Sequence, residues 1–256
     1  MIKEIQEEYY LLGLDVSTKT IGISLFNNKG ELLELTHISP KAKPEPKTKT
    51  EELIKKADLF NDFVQKYKKM DIRYIVIEEP LLRSNNVNTV GTLLRFNGMV
   101  TKICYDVFNV VPEYISTYDA RKFAFPELMQ PNSSGKSVLF GGLPKDIDKK
   151  KVVWDKVSKR EPEINWLLDK KGELKKENFD MSDAYTVMLA FAHQKEIFKY
   201  FFVGRAHNIY WNYLIGWWLY TNAWYLRWAQ KSEWFNWFLK QWSLVQSGSG
   251  NVSSLC

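Results

Sequence analysis

The chain has 256 residues, of which 45% are hydrophobic and 26% charged, and its formal net charge is +6. This is the composition of a globular protein with one large domain or a domain plus an appendage, and its mild basicity suits a polyanionic partner. The two distant cysteines and three scattered histidines exclude a disulfide framework and a zinc site. Because the N-terminus also lacks the apolar core of a signal peptide, we expect a cytoplasmic protein.

Three short strands are predicted at the start of the chain. The nearly continuous apolar run Tyr9 to Leu14 predicts a buried strand, and Thr20 to Phe26 and Leu32 to Ile38 predict two more. Short connections between them indicate an antiparallel arrangement. Asp15 ends the first strand, where burying a carboxylate is costly unless something pairs with it. A plain turn aspartate between two hairpin strands is the alternative interpretation.

A helix and a fourth strand are predicted next. Apolar residues recur at helical spacing between Leu53 and Tyr67, and Tyr74 to Glu79 then forms a short apolar run that ends in two glutamates. A strand reached through a helical crossover is expected to lie parallel to the first strand, which brings its end beside Asp15. Because side chains alternate faces, only one of Glu78 and Glu79 can point toward Asp15, and alternation alone leaves the choice between them open.

The remaining elements are predicted from weaker patterns. Residues 130–177 are interpreted as mostly loop. The other predictions are a helix over Val87 to Phe108, a strand over Glu113 to Tyr118, a basic turn over Asp119 to Phe123, a short helix over Lys149 to Lys159, and a last helix from Asn178 to about Phe202. Asp180 and Asp183 are three residues apart and therefore share one side of the last helix. A pair of acids that only stabilises the start of this helix is the alternative.

Two further stretches invite other interpretations. Residues 134–137 resemble the end of a phosphate-binding loop, but Gln130 stands where its first glycine is required, so we reject that motif. Eight of the ten tryptophans lie between Trp211 and Trp242, and residues 208–226 carry no charge. We predict a domain over residues 1–203 and an atypical Trp-rich appendage over 204–256. A frameshifted origin, a disordered tail and, less favoured, a membrane anchor stay open for it.

Four carboxylates thus occupy defined places, on Asp15, Glu78, Asp180 and Asp183. The motifs around them are Gly13 to Thr18 with Gly22, Val76 to Glu78, and Asp180 with Asp183 and Ala184. In order and spacing they resemble the motifs of the RuvC family of Holliday-junction resolvases, in the RNase H-like superfamily. The resemblance extends over about residues 9–200 and is greatest to phage-encoded members. It implies an α/β fold of the RNase H type, with a five-stranded mixed sheet flanked by helices.

The resemblance also implies an activity. It predicts a crossover-junction endodeoxyribonuclease that acts in DNA recombination and repair as a homodimer on four-way junctions. Because four adjacent carboxylates repel one another, cations must neutralise them. The expected cofactor is a pair of Mg²⁺ ions, or Mn²⁺ as a substitute, bound by the four acids, and two-metal hydrolysis is the expected reaction. The candidate phosphate contacts are Arg83, Arg95, Lys102, Arg121 and Lys122.

Other functions remain open from the sequence. A nuclease of the same fold that acts on structured RNA is one alternative. An ATP-binding protein of the actin-like and sugar-kinase superfamily is another, because its opening Gly-Leu-Asp-x-Ser-Thr hairpin is similar. A module that binds DNA or RNA without cutting is the third. If the gene is phage-encoded, the compartment is the host cytoplasm.

Overall fold

The computed structural model describes residues 7–80, 87–144 and 146–198. The Trp-rich stretch, the predicted boundary at residue 203 and the candidate phosphate contact Arg83 lie outside them. Within the described residues, no helix combines the length and the apolar character needed to cross a membrane. The strands are β1 (Tyr10–Val16), β2 (Ile21–Asn27), β3 (Leu32–Ile38), β4 (Ile72–Glu78), β5 (Glu113–Ile115), β6 (Met129–Pro131) and β7 (Ser137–Leu139). The α-helices are α1 (Lys49–Val64), α2 (Val87–Phe108), α3 (Thr117–Ala124), α4 (Lys149–Arg160) and α5 (Glu177–Gln194).

Five of the strands form one mixed sheet in the order β3-β2-β1-β4-β5. β2 pairs antiparallel with both β1 and β3, whereas β4 lies parallel to β1 and to β5. The short turns after β1 and β2 allow only antiparallel neighbours, and the crossover through α1 allows β4 to return parallel to β1. The predicted fold class, an α/β fold of the RNase H type with a five-stranded mixed sheet, is confirmed.

Helices cover both faces of the sheet, and the alternation along each strand assigns side chains to one layer or the other. On β1, Leu12 and Leu14 pack in the core beneath α1 and α2, whereas Leu11 packs in the core beneath α3, α4 and α5. On β4, Ile77 joins the first core and Val76 the second. By the same alternation, the side chains of odd-numbered residues on β1 and even-numbered residues on β4 face α5.

Two glycines let α5 approach the sheet closely. A Cβ atom placed on Gly22 would lie 2.0 Å from the carbonyl oxygen of Asp180, and one on Gly13 would lie 2.7 Å from that of Ala184. Between them, the Ser24 hydroxyl donates a hydrogen bond to the Ala184 carbonyl at 2.9 Å. The backbone at the start of α5 therefore rests directly on β1 and β2, and its position is fixed by contacts that a larger residue would prevent.

Three local predictions were wrong. The predicted fifth strand stops at Ile115 instead of Tyr118, and the predicted basic turn is part of α3. Ser116 starts this helix, because its side chain accepts a hydrogen bond from the backbone N–H of Asp119. The last helix ends at Gln194, before the predicted end.

The region predicted as loop contains the hairpin of β6 and β7, and residues 132–136 form its turn. Rejection of the phosphate-binding loop is confirmed, because Ser137 begins a strand and not a helix.

Candidate metal centre

Three acidic side chains meet at the ends of three elements. Asp15 lies near the end of β1, Glu78 is the last residue of β4, and Asp183 is in the second turn of α5. Each offers a carboxylate oxygen, and these oxygens all lie within 4.8 Å of one another. Parallel pairing of β1 with β4 brings the two strand ends together, and alternation turns Asp15 and Glu78 toward α5.

The fourth predicted acid lies one turn earlier on the same helix. Asp180 is in the first turn of α5 and is outside the set of oxygens within 4.8 Å of one another. It is close enough to contribute to the electrostatics of Asp15. Glu79, the rejected neighbour of Glu78, is exposed, and its backbone N–H bonds the Ile115 carbonyl.

Burial, and after it the crowding of like charges, raises the pKa values of three of these acids. Loss of hydration raises the pKa of Asp15 well above its usual range, and the carboxylates of Glu78 and Asp183 raise it further. The pKa of Glu78 is raised by the same two causes, first its burial and then the charge of Asp183. Burial also raises the pKa of Asp180. The protein alone therefore leaves negative charge at this point incompletely neutralised.

Two cations partly compensate. Arg121 of α3 places Nη2 3.2 Å from Asp183 Oδ1. Lys150 of α4 places Nζ 3.3 Å from Asp183 Oδ2 and 3.5 Å from Asp180 Oδ1. Burial alone would lower the pKa of Lys150, but the surrounding carboxylates outweigh it and the pKa is raised. The ammonium group of Lys150 thus stands where a bound cation would compete with it.

A hydroxyl group orients one of the acids. The Thr117 side chain, at the first position of α3, donates a hydrogen bond to Glu78 Oε1. This contact favours the ionised form of Glu78 and lowers its pKa, against the larger effect of burial. Ligating carboxylates in metal sites commonly have such outer hydrogen-bond partners.

The donor set fits a hard divalent cation. Carboxylate oxygens are the protein ligands that Mg²⁺ and Mn²⁺ prefer, and three of them come within reach of a common point here. They are carried by three elements that are themselves held by buried apolar residues, so the oxygens are positioned before any ion binds. Asp180 lies one turn before Asp183 and outside this set of three.

The predicted phosphate contacts fall in two places. Arg121 lies at the cluster itself, and its Nε has no hydrogen-bond partner among the described residues. Lys122 follows it on α3, with Nζ 5.1 Å from the centre of the Phe123 ring. Arg95 and Lys102 lie instead on α2, in the opposite helix layer, where both line a groove of about 510 Å³ against α1.

Sequence reasoning missed two residues of the centre, Thr117 and Lys150. The run of three lysines after Asp148, which caps α4, was the available signal for Lys150. Thr117 carried no comparable signal, and the segment around it was interpreted as strand and turn.

Comparisons with known proteins find similar folds among solved structures. No family model matches this sequence, and no curated protein matches it either. A structure described as RuvC of Thermus thermophilus in complex with Holliday junction substrate is similar with a TM-score of 0.49 and 11% identity, over 74% of this chain and 96% of that one. A second Thermus thermophilus RuvC structure has a TM-score of 0.45 and 15% identity, over 73% and 96%. A ROK hexokinase from the same organism has a TM-score of 0.30 and 14% identity, over 45% and 37%.

Proposed function

We propose that this protein is a metal-dependent, structure-specific DNA endonuclease that resolves Holliday junctions or other branched DNA. The observation that carries the proposal is the convergence of Asp15, Glu78 and Asp183 within 4.8 Å, with Asp180 one turn away. These are the four acids of the RuvC-like motifs. Asp15 and Asp183 are 168 positions apart in the sequence, and the fold brings them together. The reaction is phosphodiester hydrolysis.

The roles of the acids follow from their positions. Asp15 lies beside the strand that carries Glu78 and within reach of Asp183 on α5, and it would be a ligand of the proposed two Mg²⁺ ions, for which Mn²⁺ would substitute. Glu78, Asp183 and Asp180 complete the ligand set. Such a pair of ions supplies an activated water and stabilises the charge on the leaving oxygen. Arg121 is the proposed positioning residue for Asp183, which it contacts at 3.2 Å.

The substrate class rests on the motif resemblance and on charge. Lys122 and Arg121 give α3 a basic surface next to the carboxylates, which suits a phosphate backbone. Arg83, Arg95 and Lys102 remain candidate contacts to more distant parts of a branched substrate. We extend the proposal to a phage-type member that acts in recombination and repair within the cytoplasm, on the resemblance alone.

A homodimer is part of the proposal, because a four-way junction is cut symmetrically on two strands. The surface of α2 suits this role. Its outer side exposes Val87, Leu94 and Tyr105 together with Gly98, at successive spacings of seven, four and seven residues that keep them on one face of the helix. This apolar stripe lies beside the groove between α1 and α2. Sedimentation velocity of the wild-type chain and of Leu94→Glu tests it, with a dimer expected for the first and a monomer for the second.

The division at residue 203 remains a proposal about the full chain. Limited proteolysis of the intact protein, with cleavage expected near residue 203 and a protected fragment that ends there, tests it.

The decisive test is a cleavage assay with Mg²⁺ on a four-way junction, a flap, a linear duplex and a structured RNA. The wild-type chain is expected to cut the branched DNA substrates. Asp15→Asn is expected to bind them without cutting, because the fold is kept and one proposed metal ligand is lost. Cleavage of RNA alone would favour the RNA-directed alternative. Cleavage by Asp15→Asn at the wild-type rate would remove Asp15 from the centre.

A further inference from the structure

Helix α3 presents three stripes around its axis. Ala120 and Ala124 are buried against the core. Thr117 and Arg121, one turn apart, contact Glu78 and Asp183 and so face the carboxylate cluster. An α-helix turns by about 100° per residue, so Tyr118 and Lys122, which are one turn apart, form a third stripe next to that of Thr117 and Arg121. This outer stripe lies on the side of the helix away from the core.

This outer stripe combines an exposed aromatic ring with a cation one turn away. Tyr118 leaves 49% of its surface exposed, although it directly follows a residue that touches the centre. Its hydroxyl lies 3.9 Å from the sulfur of Met129 at the base of the β6–β7 hairpin, which restricts where the ring can point. An exposed aromatic ring with a cation one turn away is the combination that binds single-stranded nucleotides, by stacking on the base and by charge on the phosphate.

We propose that Tyr118 and Lys122 form a nucleotide subsite beside the carboxylate centre. Tyr118 stacks on the base of a nucleotide that adjoins the scissile phosphate, and Lys122 binds a neighbouring phosphate. This inference rests on the proposed nuclease function and adds to it a preference for an unstacked base at the cut. Branched DNA supplies such bases at the point of strand exchange, whereas a continuous duplex keeps its bases stacked and out of reach.

The experiment measures the stacking of a base on the Tyr118 ring by fluorescence. A four-way junction carries 2-aminopurine, in turn on each side of the mapped cleavage point, and is bound by the full chain with Asp15→Asn, which keeps the DNA intact. Stacking on the Tyr118 ring quenches 2-aminopurine fluorescence. In that background, Tyr118→Ala is expected to remove the quenching at one of the two positions and to weaken junction binding by about tenfold. Tyr118→Phe is expected to keep both. Lys122→Gln is expected to weaken binding and to keep the quenching.

A matched control comes from Tyr114, which is similarly exposed at 45% but faces the α2 layer, where its hydroxyl contacts Thr101. Tyr114→Ala is expected to bind and quench as the parent does. Unchanged quenching in Tyr118→Ala would overturn the subsite, and so would an equal loss of quenching in Tyr114→Ala. In either case, cleavage of branched DNA by the wild-type chain would still support the proposed nuclease function. A wild-type chain that neither binds nor cuts branched DNA would overturn both.

Discussion

Gly22 provides the sharpest test of how the centre is assembled. It pairs with Asp15 on the neighbouring strand, and its missing side chain leaves room for the first turn of α5. In Gly22→Ala, the new Cβ would lie 2.0 Å from the Asp180 carbonyl oxygen and 2.4 Å from its carbonyl carbon. Normal van der Waals contact requires the helix and strand to separate by roughly 1 Å or more.

The expected consequence is larger for activity than for stability. Forcing extra volume into a packed site costs about 1–3 kcal/mol, which leaves most domains folded at room temperature. A shift of about 1 Å, however, exceeds the roughly 0.5 Å tolerance of a functional constellation and costs on the order of 100-fold in rate. We therefore expect Gly22→Ala to remain folded and to cut a four-way junction about 100-fold more slowly.

Ser24 supplies the matched control on the same strand and face. Ser24→Ala removes the hydrogen bond to the Ala184 carbonyl, at a cost of about 1 kcal/mol, but adds no atom between β2 and α5. Urea unfolding should show comparable losses of stability for the two variants, and the cleavage assay should show a large loss for Gly22→Ala alone. Equal cleavage rates for the two folded variants would refute the idea that close approach of α5 to Gly22 sets the geometry.

Three other changes probe the charges and hydrogen bonds of the centre. The raised pKa values of Asp15 and Glu78 mean that the folded chain retains protons that the unfolded chain has lost, so the stability of the metal-free protein should fall as pH rises above about 4. Thermal unfolding at pH 7 should accordingly show Asp15→Asn to be more stable than wild type by about 1 kcal/mol or more when metal is absent. Thr117→Val should weaken Mn²⁺ binding by about tenfold in calorimetry, and Thr117→Ser should restore it. Lys150→Gln should bind Mn²⁺ several-fold more tightly, because its ammonium group no longer competes for the Asp183 and Asp180 oxygens.

Each of these expectations has a clear contradiction. If the stability of the metal-free protein instead rises through neutral pH, then the pKa values of Asp15 and Glu78 are not raised by burial and by repulsion between carboxylates. Equal Mn²⁺ affinity for Thr117→Val and wild type would mean that the hydrogen bond from Thr117 to Glu78 does not contribute to metal binding. Lys156 lies on the same helix and pairs with Glu127 instead, so Lys156→Gln should leave Mn²⁺ affinity unchanged. An equal gain in both lysine variants would point to overall charge and not to competition at the centre.

The parts of the fold that were predictable are those with strong periodic patterns. The apolar runs of β1 and β4 and the helical crossover between them were sufficient to expect parallel pairing. Alternation along β4 showed that only one of Glu78 and Glu79 can face Asp15, and the resemblance to the RuvC motifs selected Glu78. The order and spacing of the acids then indicated which elements meet. These inferences succeeded because burial imposes the same rule on every residue of a central strand.

The parts that were missed depend on short elements or long-range contacts. Helix α3 has eight residues, too few to show a helical period, and its start is decided by the single side chain of Ser116. The contact between Lys150 and Asp183 joins residues 33 positions apart across an irregular segment, so only the packing of α4 against α5 creates it. Such contacts leave no local pattern in the sequence.

The hydrogen bond from Ser24 to Ala184 spans 160 residues, and it has a consequence for how this protein is made. The strands β1 to β3 can pair as soon as they leave the ribosome, but α5 supplies two of the four acids and is synthesised on the order of ten seconds later. During that interval the nascent chain carries Asp15 and Glu78 without Asp180 and Asp183. The carboxylate cluster is therefore completed only when α5 packs against the sheet, as one of the last steps of synthesis and folding.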